Sequence, residues 1–216
     1  MTPIDPIDNA LPHPDGRRRL KPSALLSPVP VVMVGCRGTS DVTSRPNIIT
    51  IAWVGTVCSD PPMVSISVRK SRFSHAQILE SQEFTINLVD TRLIRCADFC
   101  GVKSGSSVDK FAECGLTAIP ADTLRYAPAI CESPLVMECR VTSCQTLGSH
   151  DLFLAEISGL TVRPDLLAED GQLSLDRADL VGYCHGEYWT LGRCLGFFGY
   201  SVANEKVLKR RMKGRG

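Results

Sequence analysis

A chain of 216 residues with 44% hydrophobic and 22% charged residues has the composition of a folded globular protein, and a chain of this size buries about 70% of its unfolded surface without needing disulfide staples. Its formal net charge of +1 provides no global field to draw in nucleic acid or an acidic membrane surface. No apolar run approaches the ~20 residues of a membrane-crossing helix, and the Pro-rich N-terminus lacks a signal-peptide core, so neither nucleic acid nor membrane is expected as a partner and the expected location is cytoplasmic.

Residues 1–28 read as an extended N-terminal arm and residues 204–216 as a basic C-terminal tail, around one domain over 29–203. The basic runs at Arg17, Arg18, Arg19 and Lys21, and at Lys206, Lys209, Arg210, Arg211, Lys213 and Arg215, read as solvated termini. PVPVVMVGC (28–36) is a β-branched strand. IITIAWVGTVC (48–58) reads as one long strand, stopped at Asp60, Pro61 and Pro62 because proline cannot donate to a ladder. MVSISV (63–68) alternates, with Val64, Ile66 and Val68 on one face and Met63, Ser65 and Ser67 on the other, and should pair antiparallel with the strand before it.

Ser74 followed by Gln77 has the spacing of a capping box opening a helix over 75–82. EFTINLV (83–89) is a strand, and DTRLIRCADFCG a helix capped at Asp90 or Thr91 and ended by Gly101. A polar loop and a helical turn ended by Gly115 follow. Two long strands (133–148 and 151–164) flank a G-S-H turn, giving a hairpin with His150 at its tip. Residues 164–180 are a polar excursion, and 182–202 are rich in Gly and aromatics. Strands dominate and short helices interrupt them, which favours a closed antiparallel barrel over a doubly wound sheet.

Ten cysteines invite a disulfide or metal reading, but no C-x-x-C pair occurs. Buried free thiols acting as small hydrophobes account for them, and no metal ligands are assigned. The common dinucleotide and triphosphate loops, the nucleophile elbow and the H-E-x-x-H helix are all absent. What remains is SVRKSRFSH (67–75), where cationic and hydroxyl side chains crowd the turn between a strand and a helix start. Such a turn suits the phosphate of a small ligand, because a helix N-terminus presents unpaired N–H groups and the positive end of its dipole.

Four motifs stand in order: NIITIAWVGTVCSDPPMVSISVRKSRFSH (47–75), CGVKSGSSVDKF (100–111), ESPLVMECRV (132–141) and LGSHDLFLAEI (147–157). Together they resemble the flavoredoxin branch of the flavin reductase-like family, the FMN-binding split barrels, over roughly residues 28–202. The resemblance implies a mainly β Greek-key split barrel with short inserted helices, a homodimer, and FMN held noncovalently near the interface. It places Asn47, Thr50, Ala52 and Trp53 along the isoalloxazine, with Thr56 also among the cofactor contacts, and Ser67, Arg69 and Ser74 on the phosphate. It brings Lys103 and the catalytic candidate His150 to the flavin, with Phe198 or its neighbour Phe197 closing the pocket. The implied activity is hydride transfer from NADH or NADPH to flavin N5, with electrons passed to flavin, ferric complexes or another acceptor. No residue is diagnostic for the donor. Two alternatives stay open: a non-enzymatic FMN electron carrier between proteins, and a thiol-rich metal-binding protein.

Overall fold

The computed structural model describes residues 14–212. The start of the arm, residues 1–13, and Lys213 and Arg215 of the basic tail lie outside the described residues. Residues 14–28 are exposed throughout. In chain order the strands and helices are β1 (Val29–Pro30), β2 (Val32–Cys36), β3 (Asn47–Ile51), β4 (Val54–Ser59), β5 (Pro62–Arg69), α1 (Phe73–Ser81), β6 (Glu83–Leu88), α2 (Ile94–Val102) and α3 (Lys110–Cys114). Then come β7 (Ala118–Pro120), β8 (Pro128–Ile130), β9 (Leu135–Leu147), β10 (His150–Val162), β11 (Val181–Cys184), β12 (Glu187–Thr190) and α4 (Glu205–Met212).

Seven strands form one sheet in the order β3-β2-β6-β9-β10-β5-β4. Its two edges, β3 and β4, are consecutive in the chain and separated by just Ala52 and Trp53. Two residues cannot span an open seven-stranded sheet, because neighbouring strands lie about 4.8 Å apart. The sheet therefore rolls until its edges meet, and the Ser67 N–H, donating to the Trp53 carbonyl at 3.0 Å, carries the β4–β5 ladder one rung into the crossover. The result is the mainly β split barrel. This corrects the expectation of a single strand over 48–58: the continuous apolar run conceals a switch from one edge of the sheet to the other.

Period-2 alternation divides the core in two. Val34, Ile49, Ile66, Phe84, Ile86 and Phe153 fill the barrel. The opposite faces of β2 and β3 turn Met33 and Ile48 outward onto Ala97, Cys100 and Phe111 of the α2–α3 layer. The anticipated alternation of β5 is present, with Val64, Ile66 and Val68 buried in the barrel. The β9–β10 hairpin turns at Gly148, whose φ of 67° suits a residue without a Cβ. β11 and β12 make a second hairpin that pairs with β1 into a three-stranded sheet. No helix among the described residues is long and apolar enough to cross a membrane.

The helix starts differ from expectation. α1 begins at Phe73, and Ser74 and Gln77 do not form a capping box; no side chain caps the helix, whose N-cap position is Arg72. Both side chains are drawn inward instead, because Asn47 Nδ2 donates to Ser74 Oγ and to Gln77 Oε1, each at 2.8 Å. α2 starts at Ile94, four residues beyond Asp90, because the Asp90 carboxylate accepts the N–H groups of Arg92 and Leu93 and holds a turn ahead of the helix.

Phe153 is wholly buried and meets the His75 ring edge-on at 5.6 Å. Phe153→Ala should lower stability by about 3–5 kcal/mol, read as a reduced urea midpoint with an unchanged slope; a loss below ~1 kcal/mol would mean that the barrel interior is packed otherwise.

Candidate functional site

The seam where the sheet closes opens into a cleft of ≈ 420 Å³. One wall is the crossover itself, with Thr50, Ile51, Ala52 and Trp53. The Trp53 ring is 48% exposed, so it belongs to the cleft wall and not to the core. It lies 4.6 Å from the His150 ring, centroid to centroid, tilted by 40°. His150 opens β10 directly opposite Arg69 of β5, so one ladder carries His150, Ser67 and Arg69 into the cleft, with Arg72 just beyond. The far wall is Asp98, Gly101 and Val102 of α2 with Tyr183 and Tyr188 of the β11–β12 hairpin. Thr50 pins α2 against β3 by donating from Oγ1 to the Ala97 carbonyl.

At the start of α1 lies a narrow gap lined by Arg72, Phe73, Ser74, Lys103, Ser104, Gly105 and Lys110. Arg72 and Ile49 border both this gap and the cleft. Lys110 is 3% exposed. Its Nζ donates to the carbonyls of Ile48 (2.6 Å) and Cys100 (2.8 Å). Among the described residues no carboxylate pairs with it. Burial, with the Arg72 charge acting the same way, pulls its ammonium below the ordinary lysine range. The gap thus combines an uncapped helix start, two exposed cations and a buried one, a donor set matched to an anion.

A buried hydrogen bond between His75 and Asp151 ties α1 to the hairpin. Strand alternation sends Asp151 to the opposite face from His150, where its Oδ2 meets His75 Nε2 at 2.8 Å. Its Oδ1 lies 3.4 Å from Lys70 Nζ, an ion pair without hydrogen-bond geometry. Burial raises the Asp151 carboxyl, but the His75 bond and Lys70 outweigh it and hold the group below the usual carboxylate range.

The match to the model of the Flavin reductase like domain covers residues 25–192, more than half of the chain. The chain belongs to the flavin reductase-like family. The flavoredoxin of Desulfovibrio vulgaris (Miyazaki F) is 32% identical over 84% of this chain and 96% of its own, with a TM-score of 0.76. Flavoredoxin from Methanosarcina acetivorans is 26% identical over 85% of this chain and 97% of its own, with a TM-score of 0.75. An NADH:riboflavin 5'-phosphate oxidoreductase of Streptomyces pristinaespiralis is 30% identical, covering 66% of this chain and 77% of that protein. Alignments to two archaeal relatives span 66% and 67% of those proteins' lengths.

Of the residues expected from the flavin reductase-like resemblance, Thr50, Ala52, Trp53, Ser67, Arg69 and His150 line the cleft. Ser74 and Lys103 line the gap beside it. Asn47 lies behind the gap, against Ser74 and Gly105: it is 2% exposed, its Oδ1 has no partner, and a Cβ on Gly105 would sit 2.2 Å from that atom. It clamps the gap instead of facing a ring. Thr56 is exposed on the edge strand β4, outside the cleft. Phe198 is fully exposed in the C-terminal segment, and Phe197 packs under Arg211 and near Tyr200, so neither closes this chain's own cleft.

Sequence reasoning placed Arg72 in the cationic turn without assigning it a contact, and missed Asp98, Gly101, Val102, Lys110, Tyr183 and Tyr188. A signal existed for the tyrosines. Tyr183 and Tyr188 flank a His185–Gly186 turn symmetrically and pair in register. All ten cysteines are free, but just Cys36, Cys100 and Cys139 are buried, while Cys131, Cys144 and Cys194 are exposed, so burial as small hydrophobes does not account for the set. Three approach one another where α2 meets α3, with Cys100 and Cys114 sulfurs 4.0 Å apart and Cys96 Sγ 3.6 Å from the Cys114 carbonyl. Burial pushes the Cys100 and Cys114 thiols up. Among the described residues no three His, Cys, Asp or Glu side chains are placed to hold a metal.

Burial, then the Arg69 charge, pulls the His150 imidazole below its ordinary 6.5. The protonated form is therefore disfavoured in the folded chain. Proton–nitrogen NMR titration should show a His150 midpoint below 6.5 that moves upward in Arg69→Ala; a midpoint at or above 6.5, insensitive to Arg69, would contradict this electrostatic reading.

Proposed function

We propose that the protein is an FMN-binding oxidoreductase of the flavin reductase type, which takes a hydride from NADH or NADPH and delivers electrons to flavin, ferric complexes or another small acceptor. The observation that carries this reading is the continuity of an aromatic-walled cleft of mixed polarity with an uncapped, cation-lined helix start. A flavin mononucleotide has the same two-part chemistry, a flat heteroaromatic ring and a phosphate. The cleft volume of ≈ 420 Å³ falls in the range of cofactor pockets. When bound, the flavin supplies the hydride-accepting chemistry.

The chain's own groups supply position and charge. Trp53 and Ala52 offer a flat wall and close backbone approach to the ring. Arg69, Arg72 and Lys103, with Ser67 and Ser74, would hold the phosphate through charge-assisted hydrogen bonds. The buried Lys110 charge would gain a counter-ion in that phosphate, which favours the occupied state. His150 carries a hydrogen bond between its Nδ1 and Ser149 Oγ at 2.8 Å. Its place against Trp53 suits a neutral imidazole that orients the ring or the donor. It is not a required acid or base, since hydride transfer needs none.

Anaerobic addition of NADH or NADPH to purified, FMN-loaded protein should bleach the yellow absorbance, and His150→Ala should slow bleaching by about tenfold, the worth of one ~1.4 kcal/mol contact. Protein that holds FMN yet is bleached by dithionite alone would instead be a carrier between protein partners. An unchanged rate in His150→Ala would remove the role assigned to that ring.

The proposal extends to a homodimer. The C-terminal segment exposes Leu191, Leu195, Phe198 and Val202, an apolar set that a second copy would cover. Sedimentation equilibrium should give the mass of two chains, and single-chain mass at micromolar concentration would exclude it.

A further inference from the structure

Three thiols gather where α2 meets α3. Cys96 and Cys100 stand four residues apart on α2 and so share one face of that helix. Cys114 is the last residue of α3. Its sulfur lies 4.0 Å from that of Cys100, and its thiol is in hydrogen-bond contact with Cys96 as well. Other thiols bond elsewhere: Cys36 to Gln77, Cys58 to the Asp60 carbonyl, Cys139 to the Met137 carbonyl and Cys194 to the Gly196 carbonyl. Cys100 is buried, while Cys96 and Cys114 are part-exposed.

The cluster sits directly behind the anion gap. Cys100 lines that gap, and its carbonyl accepts from Lys110 Nζ at 2.8 Å. Between Cys100 and Cys114 the chain carries Lys103, Ser104, Gly105 and Lys110, which form one side of the gap, while Arg72, Phe73 and Ser74 at the α1 start form the other. A covalent link between the two sulfurs would close residues 101–113 into a ring and limit how far that side swings away. Burial pushes both thiols up, and Lys110 acts against it at Cys100. Both groups are thus held as thiols, which slows their attack on an oxidant, whereas a step between sulfurs already in contact is favoured by proximity.

We propose that Cys100 and Cys114 form a reversible disulfide when the protein meets hydrogen peroxide, and that this link slows the escape of an anion held in the gap. In the first step the part-exposed Cys114 sulfur attacks the peroxide. The O–O bond breaks, one oxygen stays on sulfur as the sulfenic acid, and the other leaves as water with the thiol proton. In the second step the Cys100 sulfur attacks the sulfenic sulfur, the S–O bond breaks, and a second water leaves with the Cys100 proton. Two thiols have lost two electrons and the peroxide has gained them. The sulfurs have about 2 Å to travel to bonding distance. Cys96, on the other side of Cys114, is the thiol available to reopen the bond by exchange. The effect on the anion rests on the FMN reading above; the disulfide itself does not.

The test treats FMN-loaded protein with hydrogen peroxide, blocks remaining thiols with iodoacetamide and digests with trypsin. Mass spectrometry should find peptide 96–103 joined to peptide 111–125, with fragmentation placing the bond at Cys100, and dithiothreitol should separate them. The link should persist in Cys96→Ser and vanish in Cys114→Ser and Cys114→Ala. After dilution, FMN release read from recovered flavin fluorescence should be at least about threefold slower in the oxidised wild type than in the reduced. Peroxide should leave the release rate of Cys114→Ser unchanged. No joined peptide, or a bond that maps to Cys96 and is lost in Cys96→Ser, would overturn the disulfide. Equal release from the oxidised and reduced wild type would overturn its effect on the anion. Failure of the FMN reading would be visible separately, as a protein that forms the joined peptide yet quenches no flavin fluorescence.

Discussion

The fold depends on a covalent constraint. Ala52 and Trp53 join the two edge strands of a seven-stranded sheet, and a link that short exists only if the edges come together. Rolling the sheet costs chain entropy, which burial of Val34, Ile66, Phe84 and Phe153 offsets at about 1.5–3 kcal/mol per large side chain. The closure is incomplete where the crossover passes. There Trp53 is turned outward, beside Arg69 and His150 of the β5–β10 ladder. The seam that makes the barrel also makes the cleft.

The second organising feature is electrostatic. Asn47 withdraws Ser74 and Gln77 into a buried amide network, and Gln77 in turn donates from Nε2 to the carbonyls of Thr43 and Arg45 at 2.8 and 2.9 Å. The cost is an α1 helix without a cap, a loss of about 1 kcal/mol by itself. Around that bare start the chain gathers Arg72, Lys103 and the buried Lys110 with no carboxylate among the gap's lining residues. A helix start that forgoes a cap and concentrates positive charge in one place has the chemistry that the proposed phosphate would meet. The His75–Asp151 pair then fixes this anion end relative to His150, because Asp151 and His150 are neighbours on one strand.

Much of the architecture was legible because it rests on local periodicity. The alternation of Val64, Ile66 and Val68, the hairpin turning at Gly148 and the helix end at Gly115 follow from strand pleat and turn chemistry, which act over a few residues. The switch at Ala52–Trp53 did not show, since an apolar run reads alike whether its residues stay on one edge or pass to the other. The false capping box has a similar origin. Ser74 and Gln77 have the right spacing, but Asn47, distant in sequence, competes for their side chains and wins. Thr50, Ala52, Trp53, Ser67, Arg69 and His150 came from motif resemblance, and the structure brings them to one cleft. Lys110 was hidden because a lysine in a short polar helix gives no hint of burial. Tyr183 and Tyr188 were hidden because their hairpin lies far along the chain from the other walls.

The central claim is that one flat ring and one phosphate are bound by two connected parts of the same site. A fluorescence titration of the purified protein with FMN and, in parallel, with riboflavin tests it most directly, since the two ligands differ in the phosphate alone. Two charge-assisted hydrogen bonds, at about 1.5–3 kcal/mol each, predict that FMN quenches with a Kd at least ~100-fold below that of riboflavin. Equal affinity for the two flavins, or no quenching by either, would contradict the account.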